Sequence, residues 1–260
     1  MIQTVSLWEN TPGFCQEVPT LDIYIPENRT SDIAVVILPG GGYECRAPHE
    51  GEGYAQFFNS QGIAAFVCQY RVSPHRFPLP LLDARRAIRY VRHHSAEFGI
   101  DPGKVYLMGS SAGGHLTAMT CTYRGGLEYE GADEIDSQNW LPDGQILCYP
   151  VISIHDLAVT HVGSAQNLLA DKYDALHKFV SPDLVADRHT PRAFIWHTFD
   201  DAGVDVRNSL NYAARLRQVN VPVEMHLYPH GPHGMGLAEH DPHVKDWSAR
   251  MIAWLKYNDH

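Results

Sequence analysis

The chain has 260 residues, 44% of them hydrophobic and 19% charged, enough to bury a sizeable core without a disulfide or metal staple. A formal charge of -10, with acids spread along the chain, excludes the clustered basic face of a nucleic-acid binder. Five irregularly spaced cysteines read as buried, reduced thiols, and no window approaches the roughly 18 apolar residues of a membrane helix.

No linker, charge block or composition shift divides the chain, so residues 1–260 are expected to form one domain. The opening MIQTVSLWENTPGF has neither a basic n-region nor an apolar h-region. Together with reduced thiols this predicts a cytoplasmic protein.

Short apolar runs alternate with helical periodicity. Residues 33–38 (IAVVIL) form a continuous apolar run, as expected of a strand buried on both faces. Residues 62–70 (GIAAFVCQY) are another. Leu81, Ala84, Ile88 and Val91 then recur at helical spacing, with Arg85, Arg86, Arg89 and Arg92 on other faces. Residues 105–108 (VYLM) predict a strand that stops at Gly109, and an apolar stretch at 116–119 follows.

The segment 123–144 is polar and rich in Gly, Asp and Glu, an excursion over the surface. Residues 146–152 (ILCYPVI) and 193–196 (AFIW) read as buried strands. Val206, Leu210, Ala213 and Leu216 trace a helix, residues 223–228 (VEMHLY) a last strand, and Val244, Trp247, Met251, Trp254 and Leu255 a closing helix. Strands alternating with helices predict an α/β fold with a mostly parallel central sheet covered on both faces.

Gly109-Ser110-Ser111-Ala112-Gly113 matches G-x-S-x-G between a strand and a helix. A sharp strand-to-helix turn exposes its central serine and needs small neighbours, so Ser111 is the expected nucleophile. A phosphate-binding turn would carry a Lys before the hydroxyl residue, and none is present. Ser110 sits off the apex.

Gly40-Gly41-Gly42 follows the 33–38 strand. Glycines let the backbone approach a substrate oxygen, so the N–H groups of Gly41, Gly42 and Ala112 are the expected oxyanion hole. Tyr43, directly after them, is expected to narrow the acyl side of the site.

A serine nucleophile needs a base and an orienting acid. Both His230 and His233 follow the last strand, and Pro232 and Gly234 beside His233 suit a tight turn. Asp200, Asp201 and Asp205 all follow the 193–196 strand, and loop length does not choose among them; Asp205 also suits a helix N-cap. The pairs His230/His233 and His240/His243 lack the rest of a zinc-binding pattern, so no metal and no cofactor is expected.

These residues resemble a known family. LPGGGY at 38–43, RAPHEGE at 46–52, YRVSP at 70–74, LLDARRAIRYVR at 81–92, GSSAGGHL at 109–116, YPVIS, WHTFDD and GPHGMGL together are similar to bacterial α/β-hydrolase acetylesterases. These include acetyl xylan esterases, which are relatives of the hormone-sensitive-lipase-like esterases and of some feruloyl esterases.

The resemblance implies an α/β-hydrolase fold, with Asp201 as the acid and His233 as the base. At Asp205 the family usually has proline. It also implies a small-molecule ester substrate, an acetylated xylo-oligosaccharide; charge and the apolar windows predict no nucleic-acid or membrane partner, and a homo-oligomer is left open. The alternatives are a feruloyl or general short-chain carboxylesterase, a peptidase, and a non-catalytic binding protein. The 46–52 stretch could line the entrance or be an ion-paired structural loop.

Overall fold

The computed structural model describes residues 3–13, 17–127, 129 and 133–258. Its strands, in chain order, are β1 (Gln3–Ser6), β2 (Thr20–Tyr24), β3 (Ala34–Leu38), β4 (Ala64–Gln69), β5 (Val105–Ser110), β6 (Gly144–Cys148), β7 (Ala193–Thr198) and β8 (Val223–Tyr228). They form one sheet in the order β1-β2-β4-β3-β5-β6-β7-β8. β2 runs antiparallel to both of its neighbours, and the pairs from β4 across to β8 are parallel.

The helices are α1 (Pro48–Ser60), α2 (Leu79–His93), α3 (Ser95–Phe98), α4 (Ser111–Thr122), α5 (Val162–Leu169), α6 (Tyr173–Leu176), α7 (Pro182–Val185), α8 (Arg207–Gln218) and α9 (Asp246–Tyr257). The period-two alternation of β3 sorts the layers. Val35 and Ile37 pack with Tyr54 and Phe58 of α1 and Trp247 and Met251 of α9. Ala34, Val36 and Leu38 pack with Leu81, Ile88, Leu116 and Met119 of α2 and α4. Both faces are covered, so β3 is apolar throughout and wholly buried.

The chain steps outward from β3 to β4, then back across to β5 on the other side of β3. That reversal places the loops after β3 and β5 side by side at the carboxyl ends of the strands, where open α/β sheets form their clefts. The loops after β6, β7 and β8 open on the same edge because those strands are parallel.

Two sequence expectations are revised. The 146–152 run leaves the sheet at Cys148: Tyr149 takes a φ of 37°, and Pro150 has no N–H for a ladder. Of the α2 arginines, Arg85, Arg86 and Arg92 are buried. Arg86 pairs with Asp133 and Asp136, and Arg92 with Asp143, so these side chains hold down the polar excursion. The cysteines also divide, since Cys68, Cys121 and Cys148 are buried but Cys45 is exposed; Cys15 lies outside the described residues. Within the 70–74 stretch Arg71 is fully buried and forms a bidentate pair with Asp83 at 2.7 and 2.9 Å.

Candidate active site

Ser111 occupies the turn between β5 and α4 with a φ of 53°, a left-handed backbone that side chains rarely adopt. Its neighbours are small for steric reasons. A Cβ on Gly113 would collide with the carbonyl oxygen of Leu38, and one on Gly109 with the carbonyl of Gly113. Ser110 points away from the turn and is buried, its hydroxyl 2.9 Å from that of Tyr54.

His233 Nε2 lies 2.8 Å from Ser111 Oγ, and His233 Nδ1 lies 2.8 Å from Asp201 Oδ2. The other Asp201 oxygen accepts the backbone N–H groups of Gly203 and Val204. Burial would raise the Asp201 carboxyl, but hydrogen bonds from His197, His233 and Val204 outweigh it and hold the group well below the usual carboxylate range. An ionised Asp201 can only accept, so Nδ1 carries the imidazole proton and Nε2 is left to accept from Ser111.

The rival residues are engaged elsewhere. Asp200 and His230 are exposed and pair with each other at 2.8 Å. Asp205 accepts from the backbone and the guanidinium of Arg207 at the start of α8, a cap-like role. Among the described residues no group of three or more His, Cys, Asp or Glu could hold a metal ion, and no helix is long and apolar enough to cross a membrane.

The 40–42 loop crosses close above the serine: a Cβ on Gly40 would stand 3.1 Å from Ser111 Cβ. Gly41 and Gly42 have φ values of 125° and 65°, which glycine adopts without strain. Their carbonyls are turned away into the fold. Gly41 accepts from Glu44 and Cys45, and Gly42 from the Asn167 side chain of α5. The N–H groups of Gly41 and Gly42 donate to no acceptor among the described residues. Ala112 adds the N–H of the first turn of α4, an end of the helix that favours negative charge.

Tyr43 does not line the acyl side as expected. It is fully buried, and its hydroxyl lies 2.7 Å from His115 Nδ1. His115 Nε2 donates to the Val180 carbonyl, which fixes Nδ1 as the acceptor for Tyr43. The ring therefore supports the 40–42 loop from beneath.

Sequence reasoning missed several residues around the site. His197, at the end of β7, donates from Nε2 to the Val204 carbonyl and lies 3.2 Å from Asp201 Oδ2. It falls within the HT of WHTFDD, so the motif held the signal. His161, beside Gly42, takes the Ser164 N–H on Nδ1. Burial first, and then the nearby His233, lower its pKa. Glu50 lies within RAPHEGE and Tyr149 opens YPVIS, but neither stretch told which of its side chains supports the site.

A family model described as BD-FAE matches residues 21–216. The chain is 33% identical over 246 residues to an endo-1,4-beta-xylanase B of Butyrivibrio fibrisolvens, covering 93% of this chain and 38% of that one. It is 32% identical over 242 residues to an acetylxylan esterase of Xylanibacter ruminicola, covering 91% and 45%. The chain thus spans less than half the length of these two curated relatives.

Among solved structures it matches an acetyl ester-xyloside bifunctional hydrolase from Caldicellulosiruptor lactoaceticus with a TM-score of 0.91 and 40% identity, over 98% of this chain and 96% of that one. It also matches MGS-M1, an alpha/beta hydrolase enzyme from a deep-sea metagenome library, with a TM-score of 0.76 and 26% identity over 99% and 97%. The fold is the α/β-hydrolase fold.

Proposed function

The chain belongs to the BD-FAE family, and we propose that it is a serine carboxylesterase that removes acetyl groups from acetylated xylo-oligosaccharides. The observation that carries the reading is the unbroken path Ser111 Oγ to His233 Nε2, His233 Nδ1 to Asp201, with 2.8 Å at each link. An acid held ionised, a base in the matching tautomer and a hydroxyl on a strained turn form a working set for acyl transfer.

In this mechanism Ser111 Oγ attacks the ester carbonyl carbon while His233 Nε2 takes its proton. The carbonyl oxygen becomes an oxyanion facing the N–H groups of Gly41, Gly42 and Ala112. Collapse breaks the carbon–oxygen bond to the sugar, and His233 returns the proton to the departing alkoxide. Water then attacks acetyl-Ser111, giving one proton to His233; collapse breaks the bond to Ser111 Oγ, which takes that proton back from His233, and acetic acid leaves, losing its remaining proton to solvent. Asp201 stabilises the imidazolium of each half-reaction and fixes its orientation.

The acyl and alcohol assignments draw on the names of similar proteins, an acetylxylan esterase and an acetyl ester-xyloside hydrolase. The test is a panel of acetylated xylo-oligosaccharides with 4-nitrophenyl acetate, butyrate and octanoate and a feruloyl ester. The expected kcat/KM falls from acetyl to longer chains, roughly 10–200-fold for a methylene that does not fit. A preference for octanoyl or feruloyl esters overturns the substrate assignment and leaves the triad standing.

A further inference from the structure

Glu50 lies in the first turn of α1 and is almost wholly buried, although it is a carboxylic acid. A carboxyl group out of water is costly unless its oxygens are paired. Both are. Oε2 accepts the Gly40 N–H at 2.8 Å, and Oε1 accepts the Tyr149 hydroxyl at 2.7 Å.

On the first side, Gly40 is held at both of its peptide groups: Glu50 takes the N–H of the Pro39–Gly40 peptide, and the Ala47 N–H donates at 2.9 Å to the carbonyl of the Gly40–Gly41 peptide. Residues 47–50 therefore fix the orientation of the peptide that feeds directly into Gly41 and Gly42. On the second side, the Tyr149 hydroxyl accepts the Gly236 N–H at 2.9 Å, and its ring meets the His233 imidazole edge-on at 5.1 Å. Next to Glu50, His49 Nε2 donates to the Gly234 carbonyl at 3.0 Å.

The result is a buried path from Gly40 N–H to Glu50, to the Tyr149 hydroxyl, to Gly236 N–H. It runs from the oxyanion loop to the loop that carries His233. Burial, and then the Glu50 charge, push the Tyr149 phenol well up, so it remains the donor. The left-handed backbone of Tyr149, with a φ of 37°, is strain retained at the position whose hydroxyl completes the path.

We propose that Glu50 is a positioning residue for the esterase reaction: acting through Gly40 and Tyr149, it sets the oxyanion loop and the His233 loop in one register over Ser111. The inference rests on the triad reading of Ser111. It does not require Glu50 to touch substrate. Its loss misplaces oxyanion donors and base together, groups used in the transition state more than in the ground state, so the effect belongs in kcat rather than KM.

The experiment compares wild type, Glu50→Ala, Glu50→Gln, Tyr149→Phe and Glu50→Ala/Tyr149→Phe on 4-nitrophenyl acetate, with Ser111→Ala alongside. Each kcat is counted per site titrated to completion with a fluorophosphonate, and for Ser111→Ala per mole of protein. Removing one oxyanion donor costs about 100–1,000-fold. Glu50→Ala should approach that range, with KM changed less than about threefold, and Tyr149→Phe should lose roughly tenfold. The double variant should be no slower than Glu50→Ala, because the two residues act along one path.

Glu50→Gln keeps one acceptor oxygen and should fall between wild type and Glu50→Ala. If Glu50→Ala does not fold, Glu50→Gln and Tyr149→Phe carry the test. Folded variants with kcat per site within twofold of wild type, losses wholly in KM, or strictly additive losses overturn the proposal. An active Ser111→Ala overturns the triad reading itself, and is told apart because only that variant addresses it.

Discussion

Gly203 lies so close to His233 that a methyl carbon added to it would stand 2.8 Å from His233 Cβ and 2.9 Å from the adjoining ring carbon. Gly203 also donates its N–H to Asp201. One small residue thus packs against His233 and hydrogen-bonds Asp201. Gly203→Ala is expected to leave a folded protein, since the crowding is with one side chain at the mouth of the site. Pushing His233 off its 2.8 Å contact with Ser111 should lower kcat about 100-fold, the typical cost of misplacing a catalytic group by about 1 Å. Unchanged kcat on 4-nitrophenyl acetate in this variant means that the base does not depend on the packing.

Ser111→Ala should lower kcat by about a million-fold while the fold persists, as for other triad serines. Ser110→Ala removes buried hydrogen bonding to Tyr54 and Cys148 and should cost roughly 1–3 kcal/mol of stability. The comparison is sharp because the two hydroxyls are adjacent in sequence but face opposite sides of the turn. A dead Ser110→Ala beside an active Ser111→Ala reverses the assignment.

What the sequence disclosed follows from how local each signal is. The buried strand 33–38, the glycine run after it and the serine turn are short-range patterns, and β3, the 40–42 loop and Ser111 lie where those patterns put them. The choice among Asp200, Asp201 and Asp205 was not legible from spacing; it depends on which carboxylate the β7 loop turns toward His233, a tertiary fact. Tyr43 was misread because position next to the glycines says nothing of side-chain direction, and a φ of 57° sends that ring inward to His115. Glu50 was undecidable because a charged residue in a helix's first turn is ordinarily exposed, and its oxygens are paired across loops, with Gly40 before the helix and with Tyr149, far away in sequence.

His115 gives the fold a defined acid sensitivity. Burial lowers its pKa to about 4, so it is neutral in the folded protein, where Tyr43 donates to it. In the unfolded chain the imidazole titrates near about 6.5. The folded value is the lower, so unfolded chains take up the proton first. The contribution to stability is whole above about 6.5, declines as pH falls, and is gone near 4, a loss of about 3 kcal/mol. His115→Gln can accept from Tyr43 and donate to Val180 but does not titrate. Urea unfolding at pH 7, 5.5 and 4 should show wild type losing stability that this variant keeps. Parallel curves for the two proteins refute the assignment.

Asp201 gives the fold a different pH signature. Its carboxyl is held ionised by His197, His233 and the Val204 N–H against the opposing effect of burial. Asp201→Asn presents an amide in its place, which can stabilise the wrong His233 tautomer, and comparable triad changes cost about 10,000-fold in kcat. Asp200→Asn and Asp205→Asn alter exposed pairs with His230 and Arg207 and should stay within a few-fold of wild type, as surface ion pairs contribute little. The folded pKa of Asp201 is depressed, so its stabilisation is complete above the unfolded value of about 3.9 and is lost as pH falls through the lower native value. Asp201→Asn should therefore be less stable than wild type at neutral pH, with the gap closing only below about pH 4. Chemical unfolding at pH 7 and at pH 3, with kcat for all three variants, checks both halves. Equal kcat losses at Asp200 and Asp201 would leave the orienting acid unassigned, and a stability gap independent of pH would remove the charge from the account.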